Sequence, residues 1–472
     1  MAQAGSVAVP KRLPLVIEPE NRNDSTAKDA RLINCFMESH RTAEGQTEYW
    51  IYKRPGLDEF QRPPAANAAG RGVFNWRGAI YSVFGATLYQ DGVAIAGTVD
   101  ATGGVYRFDS CLGATPRLVL GNGVEAYRYD SGGGLVLIND ADFPVTFQKG
   151  WAYLDATLYV LKANAHVQGS DPNDPSAWDP LNDILAQIEP DQGVALSKQL
   201  VYIVAFKEWS IEVFYDAGNT TGSPLGAVQG AKVSYGCGSQ DSVQNINGVL
   251  YFITVSRTAG IQIGQIDQLK FDVISTKAIE RLIQTADLTT IFSWQLALEG
   301  HSWYIVTFKT NNLTLAYDMK EKLWWQWTDE SGNYCKIVDS TYDTGGVAIL
   351  QHETNGRLYH ASSSYTSDDG AAIQVDLYTP NFDAGVQSRR KALHRMYFIA
   401  DQDAGNELLV RCNDHDYKAN KWTNFRRVNL GLARPVLDAC GSFTKRAHNI
   451  RHKQDKRLRL KAVELQLDIG TG

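Results

Sequence analysis

A short unit recurs through the middle of this chain: a turn residue, usually glycine, then an apolar residue and a tyrosine, then alternating apolar positions. It reads "RGAIYSVF" at 77–84, "KQLVYIVAF" at 198–206, "NGVLYFITV" at 247–255, "GHSWYIVTF" at 300–308 and "NGRLYHAS" at 355–362. Tyr202, Tyr251, Tyr304 and Tyr359 follow one another at 49, 53 and 55 residues. "ATLYQDG" (86–92) and "ATLYVLK" (156–162) are further short strands in the same style. Strand–turn units that repeat at this length are the signature of β-propeller blades, because each blade is one small antiparallel sheet. Within a unit, "SWYIVTF" (302–308) runs out, "KTNN" (309–312) turns, "LTLAYDM" (313–319) returns and "KEK" turns again into "LWWQW" (323–327). Only "STKAIERLIQTAD" (275–287) has helical periodicity, with Ala278, Ile279, Leu282 and Ile283 on one face and Ser275 or Thr276 as cap.

The two ends follow other rules. Residues 1–60 carry one clear strand, "TEYWIYKRPGL" (47–57), which stops at a proline turn. Beyond about 370 the tyrosine-centred unit gives way to "AIQVDLYTP" (372–380), "ALHRMYFIA" (392–400), "ELLVRCND" (407–414) and "KRLRLKAVELQLDIG" (456–470). In the last, Leu458, Leu460 and Ala462 alternate, then the phase shifts to Val463, Leu465, Leu467 and Ile469, which predicts a β-bulge. The expected fold is therefore all-β. A propeller of six irregular blades occupies 71–370, and an additional β-sandwich-like platform domain comprises 371–472 together with an N-terminal segment, 1–70, packed on it.

Composition agrees with strands and tight turns: 41 glycines, 22 tyrosines and 11 tryptophans in 472 residues, 44% hydrophobic and 21% charged. No apolar run approaches the ~20 residues of a membrane-spanning helix, and residues 1–22 lack the apolar core of a secretory signal. The six cysteines stand singly with no C-x-x-C, which argues for free thiols rather than zinc or disulfides. The net charge of −6 conceals an asymmetry: residues 385–472 hold 18 Lys and Arg against 9 Asp and Glu, and the preceding residues 28 against 43. A basic end on an acidic body suggests docking to an acidic partner or nucleic acid, unless it is a solvated face. The candidate docking cations are Arg389, Arg390, Lys391, Arg395, Arg426, Arg427, Lys445, Arg446, Arg451, Lys453, Lys456, Arg457 and Arg459. Few aromatics interleave with them, so sequence-specific nucleic-acid reading is not expected.

Catalytic motifs are absent: there is no G-x-S-x-G, no P-loop, no G-x-G-x-x-G opening a helix and no H-E-x-x-H. "YDSGGG" (129–134) reads as a turn, because no helix N-terminus follows to hold a phosphate. "GSDPNDPSAWDP" (169–180) has three aspartates without EF-hand spacing, so a structural loop is favoured over calcium. Asp318, Glu321, Asp329 and Glu330 flank an aromatic strand, and a glycosidase needs two such carboxyls facing one pocket. "CNDHDYKANKWTNF" (412–425) is a hairpin whose Asn and Asp serve turn amides while Trp422 packs beneath. No catalytic residue, cofactor or metal is assigned.

Taken in order, several stretches resemble the tail-nozzle proteins of short-tailed bacteriophages, also called tail accessory factors or packaged-DNA stabilisation proteins. They are "KDARLINCFMES" (28–39), "YKRPGL" (52–57), "RGAIYSVFGATLYQDG" (77–92), "KEWSIEVFYDAGN" (207–219), "GCGSQDS" (236–242), "NGVLYFI" (247–253), "ISTKAIERLI" (274–283) and "HNIRHKQDKRLRLKAVELQLDIG" (448–470). The resemblance implies a structural virion protein made in the host cytoplasm and built into the tail. It implies a homohexameric ring below the portal and adaptor, with tail fibre, tailspike or needle proteins beyond it. Double-stranded DNA would pass through without sequence-specific binding, be retained, and leave at ejection. No catalytic residues are transferred. The alternative reading is a carbohydrate-binding or carbohydrate-active propeller with Trp324, Trp325 and Trp327 as its platform. Alternation places Trp325 and Trp327 on one face as inter-blade wall and leaves Trp324 on the other, open to a partner.

Overall fold

A computed structural model describes residues 11–15, 20–21, 29–41, 45–61 and 67–470. Residues 1–10, 16–19 and 22, part of the stretch read for a secretory signal, and Lys28 lie outside the described residues.

The six irregular blades expected from the sequence are six sheets of consecutive strands, at 70–94, 107–137, 147–185, 193–227, 236–273 and 292–327. The ring closes through one further sheet, in which Ile337–Tyr342, Ala348–His352 and Leu358–Ser362 are completed by Gly56–Gln61 from the N-terminal stretch. Seven sheets thus surround the axis. A separate apolar core lies between each neighbouring pair, the largest joining the sixth blade, the closing sheet and the platform. Closure is sealed where the first blade meets the seventh sheet. Val73 N donates to Asp339 Oδ2 (3.0 Å), and Asn75 N donates to Thr341 Oγ1 (3.0 Å).

The recurrent unit has a local cause. Asn247–Gly248, Asp91–Gly92, Arg77–Gly78 and Glu299–Gly300 each place two successive residues at positive φ, the geometry of a type I′ hairpin turn. Such a turn matches the right-handed twist of the strands it joins. In the first, fourth, fifth and sixth blades the repeated tyrosines (Tyr81, Tyr202, Tyr251, Tyr304) sit in the second strand, whereas Tyr359 sits in the third strand of the closing sheet. The helix is Lys277–Ile283, capped by Thr276, whose side chain accepts from Ile279 N. It is shorter than the sequence pattern, which also took in the exposed turn after Ile283.

The platform is a sandwich of two sheets. One has the order Cys35–Arg41, Thr47–Lys53, Arg459–Ile469, Lys391–Ala400, Val436–Asp438. The other runs Asp29–Ile33, Val375–Tyr378, Ala447–His452, Glu407–Asn413, Arg426–Asn429. This second sheet is continuous with the sixth blade through a parallel bridge, Ile33 to Gln326. N-terminal strands therefore enter both the platform and the last propeller sheet. The long strand Arg459–Ile469 is irregular where the alternation slips: Ile399 faces Ala462 but Ala400 faces Leu460, leaving Lys461 as the extra residue of a bulge.

Candidate functional surfaces

The propeller axis is crossed by charged side chains of non-adjacent blades. Arg107, opening the second blade, reaches Asp241 of the fifth (Nη2 to Oδ1, 3.3 Å) and Asp339 of the seventh sheet (3.6 Å). Lys149 of the third blade meets the other oxygen of Asp241 at 2.5 Å. Two cations and two anions balance, and all four are largely buried. These ion pairs join the second, third and fifth blades and the seventh sheet across the ring. Burial pushes the Asp339 carboxyl up to about 6, against the pull of Arg107. Burial likewise raises Asp109 to about 6, although it accepts from Ser110 N and Tyr153 N.

The tryptophans of "LWWQW" do not form an exposed platform. Trp325 and Trp327 belong to the core shared by the sixth blade, the seventh sheet and the platform. Trp324, expected to be open, is instead buried between the fifth and sixth blades, against Tyr317, with its Nε1 donating to Ile274 O at 3.0 Å. Both strand faces are inter-sheet wall, because a propeller packs a neighbouring sheet on each side of every blade. The carbohydrate-platform alternative therefore has no exposed ring to stand on.

Three of the four flanking carboxylates are spent on local structure, while Glu330 stands exposed. Asp318 is buried against His301 Nδ1 (2.7 Å), Glu321 accepts from Ser39 N and Ser39 Oγ, and Asp329 closes a turn through Ser331 N and Asn333 N. "YDSGGG" is a hairpin turn in which the Asp130 carboxylate accepts from Gly132 N and Gly133 N. The proline-rich stretch expected as a loop is instead largely strand: Asp171 ends the third strand of the third blade and Asp174–Leu185 is its fourth, where Asp174 pairs with Arg117 and accepts from Ser176 N. In "CNDHDYKANKWTNF", Asn413 bonds His415 N and Lys418 O, and Trp422 packs on Tyr378 and Tyr417. Among the described residues no group of three His, Cys, Asp or Glu could hold a metal ion, and no helix is long and apolar enough to cross a membrane. All six cysteines are free, four of them buried.

The thirteen candidate cations do not form one patch. Lys391–Ala400 pairs antiparallel with Arg459–Ile469, so Arg389, Arg390 and Lys391 stand at one end of that ladder and Arg457 and Arg459 at the other. At ~3.3 Å per residue the ends are on the order of 30 Å apart. Lys445 and Arg446 share the first end, since Lys391 faces Phe443. Lys453 and Lys456 share the second, in the turn ahead of Arg459.

Most of these cations already have partners. Lys391 and Arg446 are buried: the ammonium donates to Thr444 O (2.8 Å), and the guanidinium grips Asp414 through two bonds (2.7 and 2.9 Å). Burial holds the Lys391 ammonium below its ordinary range. Arg395 pairs with Asp438, Arg427 with Glu407, Lys445 with Asp416, Arg451 with Asp376, Lys456 with Asp403 and Arg459 with Asp401. Arg390 donates to Ser442 Oγ, and Arg426 donates to Asp438 O and Ala439 O. Arg389, Lys453 and Arg457 are exposed and unpaired among the described residues. Sequence reasoning missed Arg107, Lys149 and Asp241, since nothing local marks an inner strand.

Fold and site together define a class: a β-propeller with an occupied axis, welded to a β-sandwich by a shared sheet. The chain belongs to the phage stabilisation family described as "Bacteriophage P22 Gp10, beta-propeller", whose profile matches residues 20–360. It is a bacteriophage virion component of the packaged-DNA stabilisation type. No curated protein is significantly similar to the chain. Among solved structures, virginiamycin B lyase from Staphylococcus aureus is similar at 8% identity, covering 65% of this chain and 99% of that one, TM-score 0.43. YCF48 from Cyanidioschyzon merolae is similar at 11% identity, covering 66% and 99%, TM-score 0.41. Likenesses this weak carry no argument about what the chain does.

Proposed function

We propose that this protein is the nozzle of a short phage tail. It would be a structural, non-catalytic subunit that assembles as a homohexameric ring below portal and adaptor, retains packaged DNA, takes part in its ejection and carries distal tail parts. The occupied propeller axis is the observation that carries this reading. Ion pairs of 2.5–3.6 Å bridge opposite blades, so a duplex must run outside each propeller, along an axis shared by several copies. A closed ring of identical subunits supplies such an axis. The acidic body suits a conduit, since phosphates gripped along its length would slow ejection. The three unpaired platform cations are the natural contacts for an acidic face of the adaptor.

Negative-stain electron microscopy of the purified protein, alone and mixed with portal–adaptor complexes, tests the proposal. A sixfold ring with a mass near six times 52.2 kDa is expected, at least in the mixture. A monomer that never joins those complexes overturns it.

A further inference from the structure

Lys207 ends the second strand of the fourth blade and is completely buried, together with two carboxylates. Its Nζ stands 3.0 Å from Asp191 Oδ1 and 2.6 Å from Glu212 Oε1, and both carboxylate side chains are only 2% exposed. Lysine is almost never buried so fully, and one ammonium against two carboxylates leaves a negative charge uncompensated within the cluster. Desolvating three charges offsets what their pairing contributes, so the cluster is a poor route to stability. The ammonium also donates to Ala186 O (3.0 Å) and Glu189 O (2.8 Å), so four oxygens crowd a group with three protons.

Local geometry brings these side chains together. Ala205 pairs with Glu212 across a hairpin, so Lys207, two residues on, shares that face. The hairpin is tight, with Lys207 N donating to Ser210 O at 2.8 Å. Asp191 arrives on the segment crossing from the third blade. That segment is tied down by Glu208 N on Gln192 O (3.0 Å) and by Ile188 N on Glu212 Oε1 (2.9 Å). The Asp191 carboxyl is oriented in turn: its Oδ2 accepts from Trp209 N (2.8 Å), and the Ser210 hydroxyl lies 3.1 Å from both oxygens. A carboxyl group thus faces a buried amine, with a second carboxylate on the nitrogen and backbone and hydroxyl donors on the oxygens. These are the parts of an acyl transfer: nucleophile, general base and oxyanion hole.

We propose that Lys207 and Asp191 condense to an isopeptide bond, in a single event within the folded chain that needs no co-reactant. A proton passes from Nζ to Asp191 Oδ1, giving an amine and a carboxylic acid, whose burial costs less than that of two ions. The Nζ electron pair bonds to Cγ while the C=O electrons move onto Oδ2, held by Trp209 N and the Ser210 hydroxyl. Glu212 takes a second proton from the nitrogen and delivers it to Oδ1, which leaves as water. The Nζ–Cγ bond forms, the Cγ–Oδ1 bond breaks, and Glu212 ends as it began. One positive and one negative charge vanish from the core, and the crossing segment becomes covalently fastened to the fourth blade. Fixed approach in a site closed to water drives the condensation forward. The cross-link is independent of ring assembly and of docking.

Intact-mass spectrometry of the full chain, unfolded in acid, tests it. The wild type should weigh less than its sequence by one water, and a proteolytic digest should contain one branched fragment joining Lys207 to Asp191. Lys207→Arg keeps the charge without the nucleophile and should show the full sequence mass. Glu212→Gln, with an unchanged circular dichroism spectrum, should condense about a hundredfold more slowly. A wild type at its full sequence mass overturns the proposal whatever the variants do, and leaves the cluster as ion pairs alone. A deficit that maps to another pair of residues overturns it equally. Condensation of Glu212→Gln at the wild-type rate overturns the role given to Glu212.

Discussion

Arg54 is buried at the meeting point of propeller and platform. Its guanidinium pairs with Asp368 (2.5 Å) and donates to Thr328 O, Pro55 O and Asn34 Oδ1, each at 3.0 Å. Arg54→Met would strand Asp368 and three acceptors in a dry site, a loss of about 3–5 kcal/mol. A fall in the urea midpoint at unchanged slope would register it, and an unmoved midpoint would contradict it. Trp324→Ala empties an inter-blade position and should cost about 3–5 kcal/mol, again read from the midpoint. Had Trp324 been the exposed ring its strand alternation suggested, the same change would cost almost nothing. Sequence told that Trp324 opposes Trp325, because side chains alternate along a strand. It did not tell what covers that face, because the fifth blade's helix and strands approach from elsewhere in the chain.

At the scale of elements, buried histidines and buried aspartates carry opposite proton linkages. Burial depresses His448 and His452 of the platform to about 3, with Arg446 and Lys53 respectively pushing the same way. A depressed histidine contributes stability that is present above its unfolded value near 6.5 and is lost as pH falls toward 3. Each should cost about 2 kcal/mol between pH 7 and pH 5. Asp109 and Asp339, raised to about 6 between blades, run the other way. Their contribution is complete below about 3.9 and is lost as pH rises through 6. His448→Gln should therefore flatten the fall in stability from pH 7 to 5 by about 2 kcal/mol, measured as paired urea midpoints. An unchanged fall would place the acid sensitivity elsewhere. In two of these turns, Asn247–Gly248 and Asp91–Gly92, the residue pair itself favours two consecutive positive φ angles, whereas Arg77–Gly78 and Glu299–Gly300 are marked in the sequence only by their glycine. The bulge at Lys461 was legible as a broken alternation.

For the whole molecule, the charge asymmetry becomes a test of docking. Reversing Arg389, or Lys453 together with Arg457, removes cations that hold no internal contact, so the fold should survive. Each reversal should weaken binding to portal–adaptor complexes by about tenfold at low salt, fading as salt rises. Because the two groups stand at opposite ends of one ladder, a loss confined to one of them would show which end meets the adaptor. Unchanged binding in both would mean a solvated face.

By itself the sequence determined what depends on neighbours in the chain: strand and turn periodicity, the propeller unit, the change of pattern near 370, and the basic end. Only the tertiary structure decided what depends on distant pairing. Gly56–Gln61 closes a sheet with Leu358–Ser362 about three hundred residues away, and nothing in either strand names the other. Arg107 meets Asp241 only because the ring brings their blades face to face. Of the thirteen basic residues, one run by composition, nine part into two ends because two long strands lie antiparallel between them. Alternation fixes which face of a strand a residue occupies, and packing between remote segments fixes what that face touches.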